Sequence, residues 1–218
     1  DVLRDEFAPK DFSRIAAQTA IQVIRQRIHE TERDNTLSEF SDKEGELMEG
    51  VIRKIDERNV YVELGDKKIE GVMPPQDRVP TEKYVVGDKI KVFVKRVKNS
   101  GKNSQIVVSR TAQGLVKKLF EEQVPEIAQG LVEIKEIARE AGHRTKMAIY
   151  SNDSHVDAVG ACVGNRGARV NAVVEELGGE KIDIILWNED PLAFIYKALS
   201  PATVLSVTAR GERSAMAI

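Results

Sequence analysis

Between Val156 and Leu177 two short apolar stripes flank a bare turn, and no other stretch narrows the possible folds as much. Val156, Val159, Gly160 and Val163 recur at i, i+3, i+4 and i+7, and Val170, Val173, Val174 and Leu177 repeat that spacing. The pattern predicts two short amphipathic helices. They are joined by Gly164-Asn165-Arg166-Gly167. With no Cβ on either glycine, a polyanion backbone can come close to such a turn. The second helix then directs unpaired N–H groups at that point, and Arg166 and Arg169 add positive charge. The expectation is a clamp for a single-stranded nucleic acid.

Other phosphate-binding readings of this turn fail on spacing. A Walker loop needs Gly-x4-Gly-Lys-Ser/Thr, whereas Gly167 is followed by Ala168-Arg169. A dinucleotide fingerprint needs a glycine where Cys162 stands. An ordinary helical corner with a Gly cap remains open on the loop alone. The order of the flanking elements has to decide.

At 218 residues the length predicts one to two domains. No apolar run approaches the roughly 18 residues of a membrane span, and no basic-then-apolar leader is visible, so no membrane is expected. The single cysteine excludes an internal disulfide and suits a reducing cytoplasm. Because the chain starts at Asp1 rather than Met, a longer protein is expected. The net charge of −2 argues against indiscriminate polyanion binding, but the charge is unevenly spread. From Glu30 to Glu49 acids outnumber bases eight to two, whereas from Asp88 to Arg110 one acid faces seven bases. Local fields steer ligands whatever the sum.

In chain order, Ser13 is placed to cap a long helix that runs to about Glu32, with a thin apolar face, followed by an acidic connector. From Gly45 to Arg110 the period changes from 3.6 to 2. Strands are expected at Gly50–Ile55, Val60–Leu64, Lys68–Met73, Lys89–Val97 and Gln105–Ser109. Five short strands without a helix of note predict a small closed barrel of the OB type. Val60, Val62 and Leu64 alternate with Tyr61 and Glu63, and Ile90, Val92 and Val94 alternate with Lys89, Lys91, Phe93 and Lys95. Tyr61 and Phe93 therefore fall on polar faces. There they are expected to stack bases while Lys91 and Lys95 track the backbone.

The barrel resembles the RNA-binding repeat of ribosomal protein S-one. The residues that carry the likeness are Gly50-Val51-Ile52-Arg53-Lys54-Ile55, Tyr61-Val62-Glu63-Leu64-Gly65, Glu70-Gly71-Val72-Met73 and Gly87-Asp88-Lys89-Ile90-Lys91-Val92. Pro74 stands where members of that family often carry a histidine, which removes one RNA contact the likeness would imply.

Beyond the barrel, residues 111–130 read as helix broken at Pro125, followed by strands at Leu131–Ile137 and Thr145–Ser151. The two helices around the glycine turn come next. A third strand follows with Ile182, Ile184 and Leu186 on its inner face, and then a helix capped by Asp190-Pro191. The order helix, strand, strand, helix, Gly-x-x-Gly, helix, strand resembles the bacterial (type II) KH domain. That likeness implies a loop clamping about four nucleotides, with bases in a groove lined by Val163, Val170 and Ile184. Residues 201–218 read as two further strands that open a second, incomplete KH unit.

The expected fold class is thus α+β and multidomain. A segment at 1–44 with a long helix leads to an OB-fold barrel at 45–110, a KH domain at 111–200 and the start of another at 201–218. This order, with Asp157-Ala158-Val159-Gly160-Ala161-Cys162-Val163 running into the glycine turn and Glu175-Glu176-Leu177-Gly178-Gly179 after it, resembles the NusA family of bacterial transcription elongation and termination factors. The resemblance implies a cytoplasmic protein. Its partners would be single-stranded nascent RNA, RNA polymerase and other elongation or antitermination factors.

No cofactor or metal is expected, and no catalytic role. Cys162 lies in an apolar helix, and His29, His143 and His155 are too scattered to form a metal site with one cysteine. A protein–protein adaptor that uses both modules as spacers stays open, as does a ribosome- or RNase-associated factor built from the same parts.

Overall fold

Alternating apolar residues close the first half of the chain on itself. In the computed structural model, which describes residues 18–28, 31, 40–66, 69–98, 105–211 and 214–218, five strands form a closed barrel in the order β1-β2-β3-β5-β4. They are β1 (Leu47–Ile55), β2 (Val60–Leu64), β3 (Ile69–Met73), β4 (Lys89–Lys98) and β5 (Gln105–Ser109). Val60, Val62, Leu64, Val92 and Val94 point inward and are fully buried, as the period-2 pattern requires. The expected strands recur within a few residues, although Lys68 lies outside the described residues. Closure leaves no free sheet edge. Pairing is antiparallel except between β3 and β5, which run parallel as the chain crosses over.

Residues 18–28 are helical (α1) and exposed throughout, including Ile21, Ile24 and Ile28. Ser13, Glu32 and most of the acidic connector lie outside the described residues.

The second half builds a helix-covered sheet. Helices α2 (Gln113–Gln123) and α3 (Pro125–Ala128) meet at Pro125, which ends one helix and occupies the first turn of the next. Strands β6 (Val132–Glu140) and β7 (Arg144–Ser151) pair antiparallel. The chain then returns through α4 (Ala158–Val163) and α5 (Ala168–Glu176) to β8 (Lys181–Leu186), which pairs parallel with β7. A parallel pair needs such a crossover, here supplied by two helices. Leu115, Leu119 and Phe120 of α2, Met147 and Ile149 of β7, Cys162 of α4 and Val173 of α5 form its core.

Asp190 then caps α6 (Pro191–Ala198) by accepting from the Leu192 N–H at 3.1 Å. No residue of α6 is fully buried. A two-stranded ribbon follows, β9 (Val207–Gly211) with β10 (Ser214–Ala217). Its first strand starts three residues later than the expected Val204, because residues 201–206 form turns and bends before the pairing begins.

One buried arginine ties the halves together, and a second braces the start of the second half. Arg110, at the end of β5, has a side chain only 4% exposed. It donates to the Lys91 carbonyl at 2.8 Å and the Glu82 carboxylate on the barrel side, and to the Glu176 carbonyl at 2.7 Å and carboxylate at 3.0 Å on α5. Arg139 of β6 forms a two-pronged pair with Glu180, both contacts at 2.9 Å, and donates to the Ala112 carbonyl at 2.7 Å. Thr145 and the Gly142 N–H also donate to Glu180. Backbone contact adds to this. A Cβ on Gly114 would run into the Phe93 ring, and one on Gly142 into Thr81 and Val79 of the barrel.

Removing one partner of a buried charged network leaves the rest desolvated, at about 3–5 kcal/mol. Arg110→Ala should therefore lower the unfolding free energy by about that much and separate a single urea transition into barrel and sheet transitions. Arg110→Lys should not restore it, because an ammonium lacks the planar fork.

Burial alone would raise the Glu180 carboxyl, but hydrogen bonds from Arg139, Thr145 and Gly142, with the Arg139 charge, outweigh it and hold the group below the ordinary 4.5. A lowered folded pKa means the contribution is complete above 4.5 and is lost as pH falls through the folded value. Acid titration of stability should show this loss below 4.5, and Glu180→Gln should remove that part of the slope.

Candidate nucleic-acid interface

The glycine turn is a short 3-10 segment, Asn165–Gly167, set between α4 and α5. Gly164 and Gly167 both have positive φ, 75° and 81°, and Arg166 between them sits at φ 53°, in the left-handed region. Asn165 and Arg166 are exposed. Their backbone N–H groups have no acceptor among the described residues. Arg166 has no ion-pair partner among them either. The turn thus presents two unpaired N–H donors and one free guanidinium to solvent.

Arg169 takes another role. The sequence placed it beside Arg166 as a second phosphate contact, but its Nη1 donates to the Ala161 carbonyl at 2.7 Å and to Glu126 at 2.9 Å. Its charge is largely spent inside the domain, where it ties the end of α4 to α3. A Cβ on Gly164 would approach Arg169 Cγ to 2.8 Å. That glycine therefore serves the internal strut as well as open access to the turn.

Beside the turn, Val163, Val170 and Ile184 are each half-buried. Val170 and Ile184 pack on the rim of the core, while Val163 ends α4 next to the loop. β8 is an edge strand of its three-stranded sheet, paired with β7 alone, so its other backbone edge is free of strand pairing.

On the barrel the structure separates the four expected contacts. Tyr61 is half-buried, its ring lies under Lys54 Nζ at 5.3 Å from the centroid, and its hydroxyl meets Asn59 Nδ2 at 3.4 Å. Phe93 corrects the expectation of an open stacking platform. It packs against the α2 core and over Gly114, so α2 covers the face that alternation marked as outward.

Lys91 is corrected likewise. Its side chain is 20% exposed, and its Nζ donates to Glu122 of α2 at 2.7 and 2.8 Å. Lys95 is half-exposed but paired at 2.8 Å with the buried carboxylate of Asp77. Its charge offsets an internal acid.

Arg96, Lys98, Asn59 and Gln105 were missed. Together with Lys95 they line a hollow of about 330 Å³ on the barrel surface. Arg96 and Lys98 are exposed and carry no ion pair among the described residues. The basic run from Asp88 to Arg110 was the available signal. The bulge between Val94 and Arg96 in the β4–β5 pairing broke the alternation that assigned its members to faces.

Cys162 is fully buried, and burial first, then the Glu126 charge, pushes its thiol up to about 11. At neutral pH it is a protonated, apolar filler. No helix among the described residues is long and apolar enough to cross a membrane.

Similarity to known proteins agrees with this geometry. Residues 110–187 match the NusA-like first KH domain family, and residues 1–34 match the NusA N-terminal domain family. The KH match ends before α6, which touches both β8 and the β9 ribbon. The transcription termination/antitermination protein NusA of Bacillus subtilis (strain 168) is 49% identical over 218 residues, which is 100% of this chain and 58% of that protein. NusA of Thermus thermophilus is 48% identical over 91% of this chain and 51% of its own length. NusA of Mycobacterium bovis is 47% identical over 94% of this chain and 62% of its own. The chain thus spans between half and two thirds of these relatives. Over its full 218 residues the chain is similar to NusA, with a match to the NusA-like first KH domain at residues 110–187 and to the NusA N-terminal domain at residues 1–34.

Proposed function

We propose that this chain is the RNA-holding part of a cytoplasmic transcription termination/antitermination factor, which binds nascent single-stranded RNA beside bacterial RNA polymerase. The observation that carries the reading is the turn at Gly164–Gly167. It offers a free left-handed arginine and two unsatisfied N–H groups to solvent, next to the half-buried side chains of Val163 and Val170 on the flanking helices. Phosphates meet the turn, and bases lie over Val163, Val170 and Ile184 against the β8 edge. On the barrel, Tyr61 stacks a base, while Arg96 and Lys98, joined by the partly neutralised Lys95, attract the backbone.

The chain acts by binding, without catalysis and without a cofactor. Polymerase contact is assigned to the amino-terminal segment, because its sequence matches the NusA N-terminal domain and α1 leaves Ile21, Ile24 and Ile28 uncovered. The domain limits at 45, 111 and 201 remain part of the proposal.

Replacing Asn165 and Arg166 together by aspartate should leave the thermal midpoint unchanged, since both are exposed and aspartate tolerates the left-handed region. Affinity for a short unpaired RNA, read by fluorescence anisotropy, should fall more than tenfold through lost charge and added repulsion. Unchanged affinity would remove the clamp. Separately, Arg166→Ala should flatten the slope of log K against log salt by about 0.7 to 1, the share of one phosphate contact.

A further inference from the structure

The acidic connector ends on the barrel, and one of its carboxylates takes a backbone donor instead of a cation. Phe40 inserts into the barrel core and is only 9% exposed. Just beyond it the chain pairs with β4. The Gly45 N–H donates to the Val94 carbonyl at 2.8 Å, and the Val94 N–H donates to the Glu46 carbonyl at 3.0 Å. Between these anchors the exposed Glu44 carboxylate accepts from the Val97 N–H at 3.1 Å. Glu46 and Glu49 meet lysines, Lys118 at 3.2 Å and Lys91 at 4.0 Å.

Val97 sits where β4 outruns its neighbour. β1 begins at Leu47, opposite Phe93, so it does not reach the end of β4. On the other edge β5 still pairs with Val97 and Lys98 through Ile106 and Gln105. The Val97 N–H therefore lies on an overhanging edge without a strand partner. Arg96 and Lys98, on either side of it, share one face by the period of a strand. Both are exposed, carry no ion pair among the described residues and line the barrel hollow.

A backbone N–H between two unpaired cations is a donor set that suits a phosphodiester oxyanion. The Glu44 carboxylate brings the same sign of charge and accepts the same bond. Tethered between Phe40 and Gly45, it competes at an effective concentration on the order of millimolar. Its withdrawal would not unravel the strand, because the β5 pairing stays. It would leave an open donor and a more positive local field.

We infer that the Val97 N–H, Arg96 and Lys98 form a phosphate seat, and that Glu44 is its built-in competitor, which RNA must displace. This rests on the reading of the barrel as an RNA surface and adds what holds that surface back.

The test uses Glu44→Gln in the 218-residue chain. The variant keeps the shape and removes the charge, and because Glu44 is exposed the thermal midpoint should not move. Affinity for an oligouridine of about twelve nucleotides, a length within the span of one such barrel, is read by fluorescence anisotropy. It should rise about two- to fivefold, the weight of one exposed ion pair. The slope of log K against log salt should steepen by about 0.7, one further phosphate contact. The Val97 amide signal should shift when the RNA is added.

The Arg96→Ala, Lys98→Ala variant separates the two readings. It should weaken binding, and in its background Glu44→Gln should bring no rise. If it weakens binding while Glu44→Gln alone brings no rise, or a rise that persists in its background, the competitor is overturned and the barrel stands as an RNA surface. Weaker binding in Glu44→Gln overturns it too, and makes Glu44 a brace. If neither variant changes affinity, the barrel reading itself falls.

Discussion

A single buried guanidinium sets how the barrel and the helix-covered sheet stand to one another. Arg110 ends the last barrel strand, and the next element is already α2 of the KH domain, so its backbone belongs to the joint. Its donors divide between a barrel carbonyl and loop carboxylate on one side and the C-terminal turn of α5 on the other. An ion pair of this depth adds little net stability compared with a well-packed apolar joint, yet it tolerates only one geometry. The Gly114–Phe93 and Gly142–Thr81 contacts require the same placement. The loop at one end of α5 and the joint at the other are thus linked by a single helix, and the barrel is held in a defined place relative to the glycine turn.

That joint explains which parts of the site were legible in the sequence. Period-2 alternation identified the inner faces of β2 and β4, and Val60, Val62, Leu64, Val92 and Val94 are buried accordingly. The helical spacing around the glycine turn placed α4 and α5, and Asp190-Pro191 marked the start of α6. Alternation says that Phe93 faces away from the barrel interior. It does not say whether water or another domain lies there. Lys91 shares that position, and its partner Glu122 is distant in sequence. One local sign existed. Gly114 in the first turn of α2 weakens a helix that has no side-chain cap, which is tolerable where another ring must come within contact.

Around the turn, the two arginines three residues apart show the same limit. Helical spacing puts Arg166 and Arg169 near each other, and both read as phosphate ligands. The left-handed twist at Arg166 turns it outward, while Arg169, inside α5, folds back onto Ala161 and Glu126. The strut holds the end of α4 where the turn needs it, and the absent Cβ at Gly164 makes room for its stem. Gly-x-x-Gly therefore meets two demands at once: a chain reversal braced from within and an approach path free of side chains.

Net charge was the strongest argument against a nucleic-acid ligand, and pairing removes most of its force. Lys91, Lys95, Lys118, Arg110 and Arg139 each meet acids at domain joints or within cores, so most of these opposite charges cancel inside the fold, and Lys95 is partly neutralised at the hollow it lines. The exposed, unpaired cations that remain include Arg166 at the glycine turn and Arg96 and Lys98 at the barrel hollow. A polyanion responds to the field within roughly a Debye length, about 8 Å in physiological salt, rather than to the sum over the chain. A formally acidic protein can therefore present local basic sites.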